Sequence, residues 1–127
     1  MAQKSLAEKL YIRPNYRVIL LNENKGYRSL LGDLPENVII DSQLSGVADL
    51  IQVFLTSRQD LETHLPALKQ HLVKNGLIWI TYPKGTSKIK ADINRDSIAR
   101  FSQSCGLKPV ALIAIDADWS ALRVKVI

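Results

Sequence analysis

The chain has 127 residues, of which 46% are hydrophobic and 23% charged, with six glycines, five prolines and a net charge of +5. That length and balance fit one ordinary globular domain and exclude collagen-like or low-complexity character. The longest apolar run, residues 110–115, falls far short of the ~18–20 residues a membrane helix needs, and a lone Cys105 with two histidines excludes an internal disulfide and a recognisable zinc set.

In chain order, Met1 to Glu8 has no apolar core and carries an early acid, so it reads as part of the domain rather than as a secretory leader. A reducing cytoplasm is the expected setting. Ser5 and Glu8 stand at capping-box spacing, which predicts a short helix ending before Pro14. Residues 17–21, Arg-Val-Ile-Leu-Leu, form a β-branched apolar run, the pattern of a strand buried on both faces. A turn over residues 22–26 leads to a helix expected to carry Tyr27, Leu30 and Leu31 inward and to stop near Gly32 and Pro35. Residues 38–41 predict a second strand ending in Asp41, and residues 49–55 a third.

Ser57 is the expected N-cap of the longest helix, with Asp60 in its first turn and Leu61, Leu65, Leu68 and Leu72 as its buried stripe. Pro66 inside that pattern predicts a kink or a restart, and Lys74-Asn75-Gly76 reads as the helix stop. Residues 77–82 predict the fourth strand. Asn94 can cap a helix carrying Ile98, Phe101 and Cys105 and closed by Gly106. Residues 109–115 and 121–127 read as an antiparallel hairpin joined through Asp116, Asp118 and Trp119. Strands alternating with helices argue for a mostly parallel sheet covered on both faces, in one α/β domain over residues 1–127.

Charge is unevenly spread. Residues 1–63 hold seven Lys/Arg and eight Asp/Glu, whereas residues 64–127 hold ten and four, a net of +6. Lys84, Lys88 and Lys90 form the densest basic stretch, in a Gly/Ser/Thr setting that reads as a loop. Such a loop is a solvated surface or a weak, sequence-independent phosphate holder for nucleic acid. No aromatic lies among these lysines to stack a base, so nucleic acid is not the expected partner.

The order of elements resembles a reduced class I, S-adenosylmethionine-dependent methyltransferase fold, Rossmann-like, with a six-stranded sheet. That resemblance implies four parallel strands and a last strand inserted antiparallel between the fourth and fifth. A closer resemblance is to a small bacterial family known only as a domain of unknown function. It is carried by Ile12-Arg13-Pro14, Leu31-Gly32-Asp33-Leu34-Pro35, Phe54-Leu55-Thr56-Ser57-Arg58, Leu65-Pro66-Ala67-Leu68, Ile78-Trp79-Ile80 with Tyr82-Pro83-Lys84, and Asp118-Trp119-Ser120-Ala121-Leu122-Arg123. That family brings no activity with it.

Against the methyltransferase pattern, three features are altered. The turn after the first strand is Asn22-Glu23-Asn24-Lys25-Gly26, with one glycine where a cofactor-binding turn is rich in them. Only seven residues separate Asp41 from Asp49, too few for the usual βα unit. Thr56-Ser57-Arg58 replaces the Asn/Asp-Pro-Pro type of motif. The expectation is therefore a non-catalytic relative with no cofactor and a ligand- or partner-binding role; a small S-adenosylmethionine-dependent methyltransferase is the alternative. Any ligand cleft is expected at the carboxyl edge of the sheet, built from Asn22, Glu23, Gly26, Asp41, Thr56, Tyr82 and Lys84.

The remaining candidates read as structural. His64 and His71, seven apart, are about 10.5 Å apart along a helix, too far for one metal. Cys105 reads as a buried thiol, Asp116 and Asp118 as turn residues, Asp92 and Asp96 as suited to a helix start, and Trp119 as a plug in the end of the core. With a βα unit missing, the strand over residues 38–41 lies at an exposed sheet edge. A homodimer across that edge is expected unless residues 42–47 fold back to cover it.

Overall fold

The computed structural model describes residues 4–127. Ser5 caps α1 (Leu6–Lys9) in a complete capping box with Glu8. The helix then ends at Leu10, and Tyr11 turns the chain through a left-handed conformation at φ 64°. β1 (Arg17–Leu21) forms where the β-branched run lies, with Val18, Ile19 and Leu20 buried. α2 (Tyr27–Leu30) is a single turn that starts from Gly26 at φ 81°. One turn aligns Tyr27 with Leu31, four residues on, and both are buried; Leu30 is rotated off that face and is 51% exposed, against expectation.

β2 (Ile39–Asp41) and β3 (Ala48–Phe54) follow, with no helix between them. Residues 42–47 cross the face of β1 instead. There Leu44 packs into the core and the Arg17 guanidinium donates to the Val47 carbonyl at 2.7 Å and to the Ser45 hydroxyl at 3.2 Å. α3 (Arg58–Leu68) buries Leu61, Leu65 and Leu68. Its N-terminus is satisfied twice, by Ser57 accepting from the Asp60 N–H and by Asp92 accepting from that of Arg58. Asp92 thus caps a helix 34 residues upstream rather than the one it precedes. The helix runs through Pro66, which is exposed, so the carbonyl freed by its missing N–H faces water.

The helix stop differs from expectation. α3 gives way to a 3-10 turn at Lys69–His71, and Leu72 already opens β4 (Leu72–Pro83). His71 therefore leaves the helix that carries His64, and its Nδ1 lies 2.7 Å from the Gly46 carbonyl. Lys74-Asn75-Gly76 forms a bulge inside β4. Ala48 pairs with Leu72 and Leu50 with Leu77, so residues 73–76 oppose Asp49 alone. Asn75 takes φ 65°, and a Cβ at Gly76 would lie 2.6 Å from the Leu72 side chain and 3.0 Å from the Asp49 carbonyl oxygen. Asn-Gly is equally suited to ending a helix and to bulging a strand; the pairing of Leu72 with β3 decides it.

α4 (Arg95–Ser104) is boxed by Asn94 and Ser97, buries Ile98 and Ser102, and is closed by Gly106 at φ 77°. β5 (Leu107–Ala114) and β6 (Trp119–Val126) complete a sheet of order β2-β1-β3-β4-β6-β5. β1 to β4 are parallel, and β6 is antiparallel between β4 and β5, as the resemblance implied. One face of the sheet, with Ile19, Ile51, Val53, Ile78 and Ile80, packs against the leucines of α3 and Ile98 of α4. The other, with Val18, Leu20, Leu50 and Trp79, packs against Ala7, Leu10, Tyr27 and Leu31. Two covered faces explain the unbroken apolar strands. Among the described residues, no strand pairs with the outer side of β2, and Ile39 beside it is 59% exposed. Among the described residues, no helix is long and apolar enough to cross a membrane.

Candidate functional site

The topology brings the carboxyl ends of β1, β3 and β4 to one edge, and with them six of the seven residues predicted there; Asp41, the last residue of β2, pairs in register with Ile19 and stops two residues short of the end of β1. Asn22 follows β1 in a left-handed conformation at φ 58°, which asparagine tolerates better than most residues. Glu23 turns back to Arg28, accepting from Nε at 3.1 Å and Nη2 at 2.9 Å. Gly26 supplies the positive φ that starts α2. Asp41 is bound by the Arg17 Nε at 2.8 Å, on the face of β1 rather than out beyond its end. The Thr56 carbonyl accepts from the Asp92 N–H at 3.1 Å. Tyr82 is buried among the residues under α3 and α4, and burial pushes its hydroxyl above the usual range. Lys84 leaves the sheet with its N–H on the Asp118 carbonyl at 2.8 Å. Among the described residues, no hydrogen bond or ion pair joins any two of these seven side chains.

Behind this edge lies a cluster that sequence reading did not single out. Tyr27 meets Phe54 edge-on, with ring centres 4.6 Å apart, and Phe54 meets Trp119 the same way at 5.5 Å. Trp119 is 7% exposed and does plug the core. Beneath the rings runs a buried polar chain: the Tyr27 hydroxyl donates to Gln52 Oε1 at 2.8 Å, and Gln52 Nε2 donates to Thr81 Oγ1 at 2.9 Å. Gln52 had one signal in the sequence, as the lone polar residue inside an otherwise apolar strand core.

Burial pushes the Tyr27 hydroxyl well above the ordinary tyrosine range, with the charges of Glu23 and Asp116 adding to the effect. The fold therefore favours neutral Tyr27. Its contribution is complete below about pH 10, where free tyrosine ionises, and is lost as pH rises beyond it. Tyr27→Phe removes that titration and leaves the buried Gln52 carbonyl without its donor, a loss of about 1–3 kcal/mol at neutral pH. Denaturation curves taken from neutral to strongly alkaline pH should show the gap between parent and variant narrowing at the alkaline end. Parallel curves would contradict this account.

The hairpin carboxylates serve the turn. Asp116 Oδ1 accepts from the N–H groups of Asp118 and Trp119, and Asp118 Oδ1 accepts from the Ser87 hydroxyl at 2.9 Å, which ties down the lysine loop. Lys88 and Lys90 are exposed on that loop, Lys84 is half-buried at its root, and none of the three makes an ion pair among the described residues. Cys105 caps α4 half-buried. No group of three potential metal ligands occurs among the described residues.

Two concavities mark the surface elsewhere. One, of about 180 Å³, lies between α3 and α4 at Arg58, Leu61 and Phe101. The larger, about 610 Å³, lies beside the β4 bulge at the opposite end of the sheet from the carboxyl edge. None of the seven predicted residues lines either.

Comparison with known proteins supports the architecture. A family described as "Protein of unknown function (DUF3052)" matches residues 23–126. No curated protein matches the chain in sequence. Among solved structures, DhpI in complex with SAH is similar with a TM-score of 0.64 at 11% identity, over 95% of this chain and 81% of that one. The ribosomal protein L11 methylase of Lactobacillus delbrueckii subsp. bulgaricus gives 0.59 at 12% identity, over 94% and 74%. The fibrillarin pre-rRNA processing protein of Methanococcus jannaschii gives 0.58 at 13%, over 89% and 67%. At such identities the likeness is one of fold, and that fold is methyltransferase-like.

Proposed function

The chain belongs to the DUF3052 family, whose description carries no function, and from its geometry we propose that it is a non-catalytic member of the methyltransferase-like fold that acts by binding. The observation that carries this reading is the state of the carboxyl edge. A nucleoside cofactor held there needs a turn bare enough for close approach and an acid free to take ribose hydroxyls. Here the turn keeps the side chains of Asn22, Glu23, Asn24 and Lys25, with Glu23 held against Arg28. Asp41 is engaged by Arg17 on the β1 face. Residues 42–47 stand where a further βα unit would add a wall, and Tyr27, Phe54 and Trp119 fill the space behind. These residues do not fit S-adenosylmethionine.

Isothermal titration calorimetry with S-adenosylmethionine and with its demethylated product tests the reading directly. No heat of binding is expected at millimolar ligand. Micromolar affinity for either compound would overturn it and restore the alternative of a small methyltransferase.

A further inference from the structure

The groove beside the β4 bulge has a composition that no structural need of the fold explains. Lys69, Lys74, Arg123 and Lys125 line it, and no acidic side chain does. Leu72, Leu77 and Val110 supply apolar wall between these cations. The bulge itself creates the space, because residues 73–76 bow out of the ladder opposite Asp49 while β6 runs straight past them.

Arg123 is the best-held of the four. Its guanidinium carbon lies 5.0 Å from the ring centre of Tyr11 and 5.8 Å from that of Trp79, a cation–π seat on two aromatics. It makes no ion pair among the described residues. Tyr11 reaches this position in a left-handed backbone conformation that is disfavoured for a residue with a Cβ. Among the described residues, the other four non-glycine residues with positive φ are all asparagines, which adopt it with less strain. Lys69 is also placed, with Nζ on the Cys105 carbonyl at 2.9 Å. Arg123 is therefore ordered before any ligand arrives, on the face of the sheet that carries Trp79, whereas the Lys69 ammonium is turned to the end of α4 on the other face.

We propose that this groove is a binding site for a small organic anion with an apolar body, the head held by Arg123, Lys74 and Lys125 and the body lying on Leu72, Leu77 and Val110. Like charges at Arg123, Lys74 and Lys125 repel one another until an anion neutralises them. The volume falls in the range of about 300–1,000 Å³ typical of small-ligand sites. Apolar walls between the cations favour such a ligand over a nucleic acid, which needs a charged track and open stacking faces. The groove is remote from the carboxyl edge, so its binding of an anion does not depend on whether that edge binds a nucleoside.

Amide chemical shifts of the whole protein, titrated with decyl phosphate below its micellar concentration, provide the test. Shifts are expected for residues 69–77 and 123–126. Decanoate in place of decyl phosphate distinguishes a carboxylate head from a phosphate one. Decanol and inorganic phosphate, each carrying half of the recognised chemistry, should bind about ten-fold more weakly or worse, as should Arg123→Gln, the size of one lost charge-assisted contact. If Arg123→Gln fails to fold, Lys74→Gln combined with Lys125→Gln, both exposed positions, should show the same loss. Shifts that fall outside the groove, affinity unchanged in the variants, or a short oligothymidylate moving the same amides at lower concentration would each overturn the proposal, the last in favour of nucleic acid.

Discussion

Trp79→Ala is expected to lower stability by about 3–5 kcal/mol, the usual loss for a large aromatic removed from a packed core. Trp79 is fully buried in β4, between Gln52 of β3 and Arg123 of β6. Its indole Nε1 donates to the Leu10 carbonyl at 3.0 Å, so the same side chain ties the end of α1 to the middle of the sheet. Natural domains have only about 5–15 kcal/mol in total, so the variant should unfold at a much lower urea concentration. Trp79→Phe keeps most of the ring volume and loses the N–H, leaving the Leu10 carbonyl unpaired at a cost of about 1–3 kcal/mol. A Trp79→Ala loss below that of Trp79→Phe would show that packing at this position contributes less than burial implies.

Gln52→Glu should be nearly as damaging at neutral pH, and in a way that acid reverses. Gln52 is fully buried, with Tyr27 donating to its oxygen and its amide donating to Thr81. A carboxylate there loses the donor to Thr81 and sits as a fully buried charge, with the Tyr27 hydroxyl as its donor. Burial raises such a group by about 3–5 pH units above the ~4.3 of a free glutamate, so the folded state holds the proton more tightly than the unfolded one. Stability is then close to the parent's below about pH 4, where both states are protonated, and falls as pH rises, by about 3–4 kcal/mol at pH 7. Urea denaturation of parent and variant at acid and neutral pH decides it. A deficit that does not change with pH would mean that the site admits water or relaxes to solvate the charge.

Local chemistry made much of the fold readable. The run at residues 17–21 became β1 without adjustment, because β-branched residues buried on both faces leave no other regular choice. Ser5 with Glu8, Ser57, and Asn94 marked three helix starts, since each side chain satisfies an N–H within three residues of itself. The insertion of β6 came from the resemblance in element order, and no periodicity would have supplied it.

What escaped was nonlocal. Asp41 ends β2 as expected, but its pairing with Arg17, 24 residues away, is a tertiary event with no local signature. The same holds for Asp92 on α3 and for the polar chain from Tyr27 through Gln52 to Thr81. Lys74-Asn75-Gly76 was misread because the conformation it needs is common to two structures. The groove it opens is lined from three separated stretches of chain, so no single motif announces it.

The placement of β6 also orders events in time. β6 follows β5 in the chain yet lies between β5 and β4. During synthesis β5 emerges first, with α4 packed on it, and has no strand of the sheet to join. Until residues 119–126 leave the ribosome, the side of β4 that carries residues 78–83 is an open ladder of unpaired N–H and carbonyl groups. A nascent chain halted at that point would hold a four-stranded parallel sheet with β4 as an open edge, the stage at which holding proteins meet it or neighbouring chains add to it. Completion of β6 closes that edge and docks the β5–α4 unit in one movement.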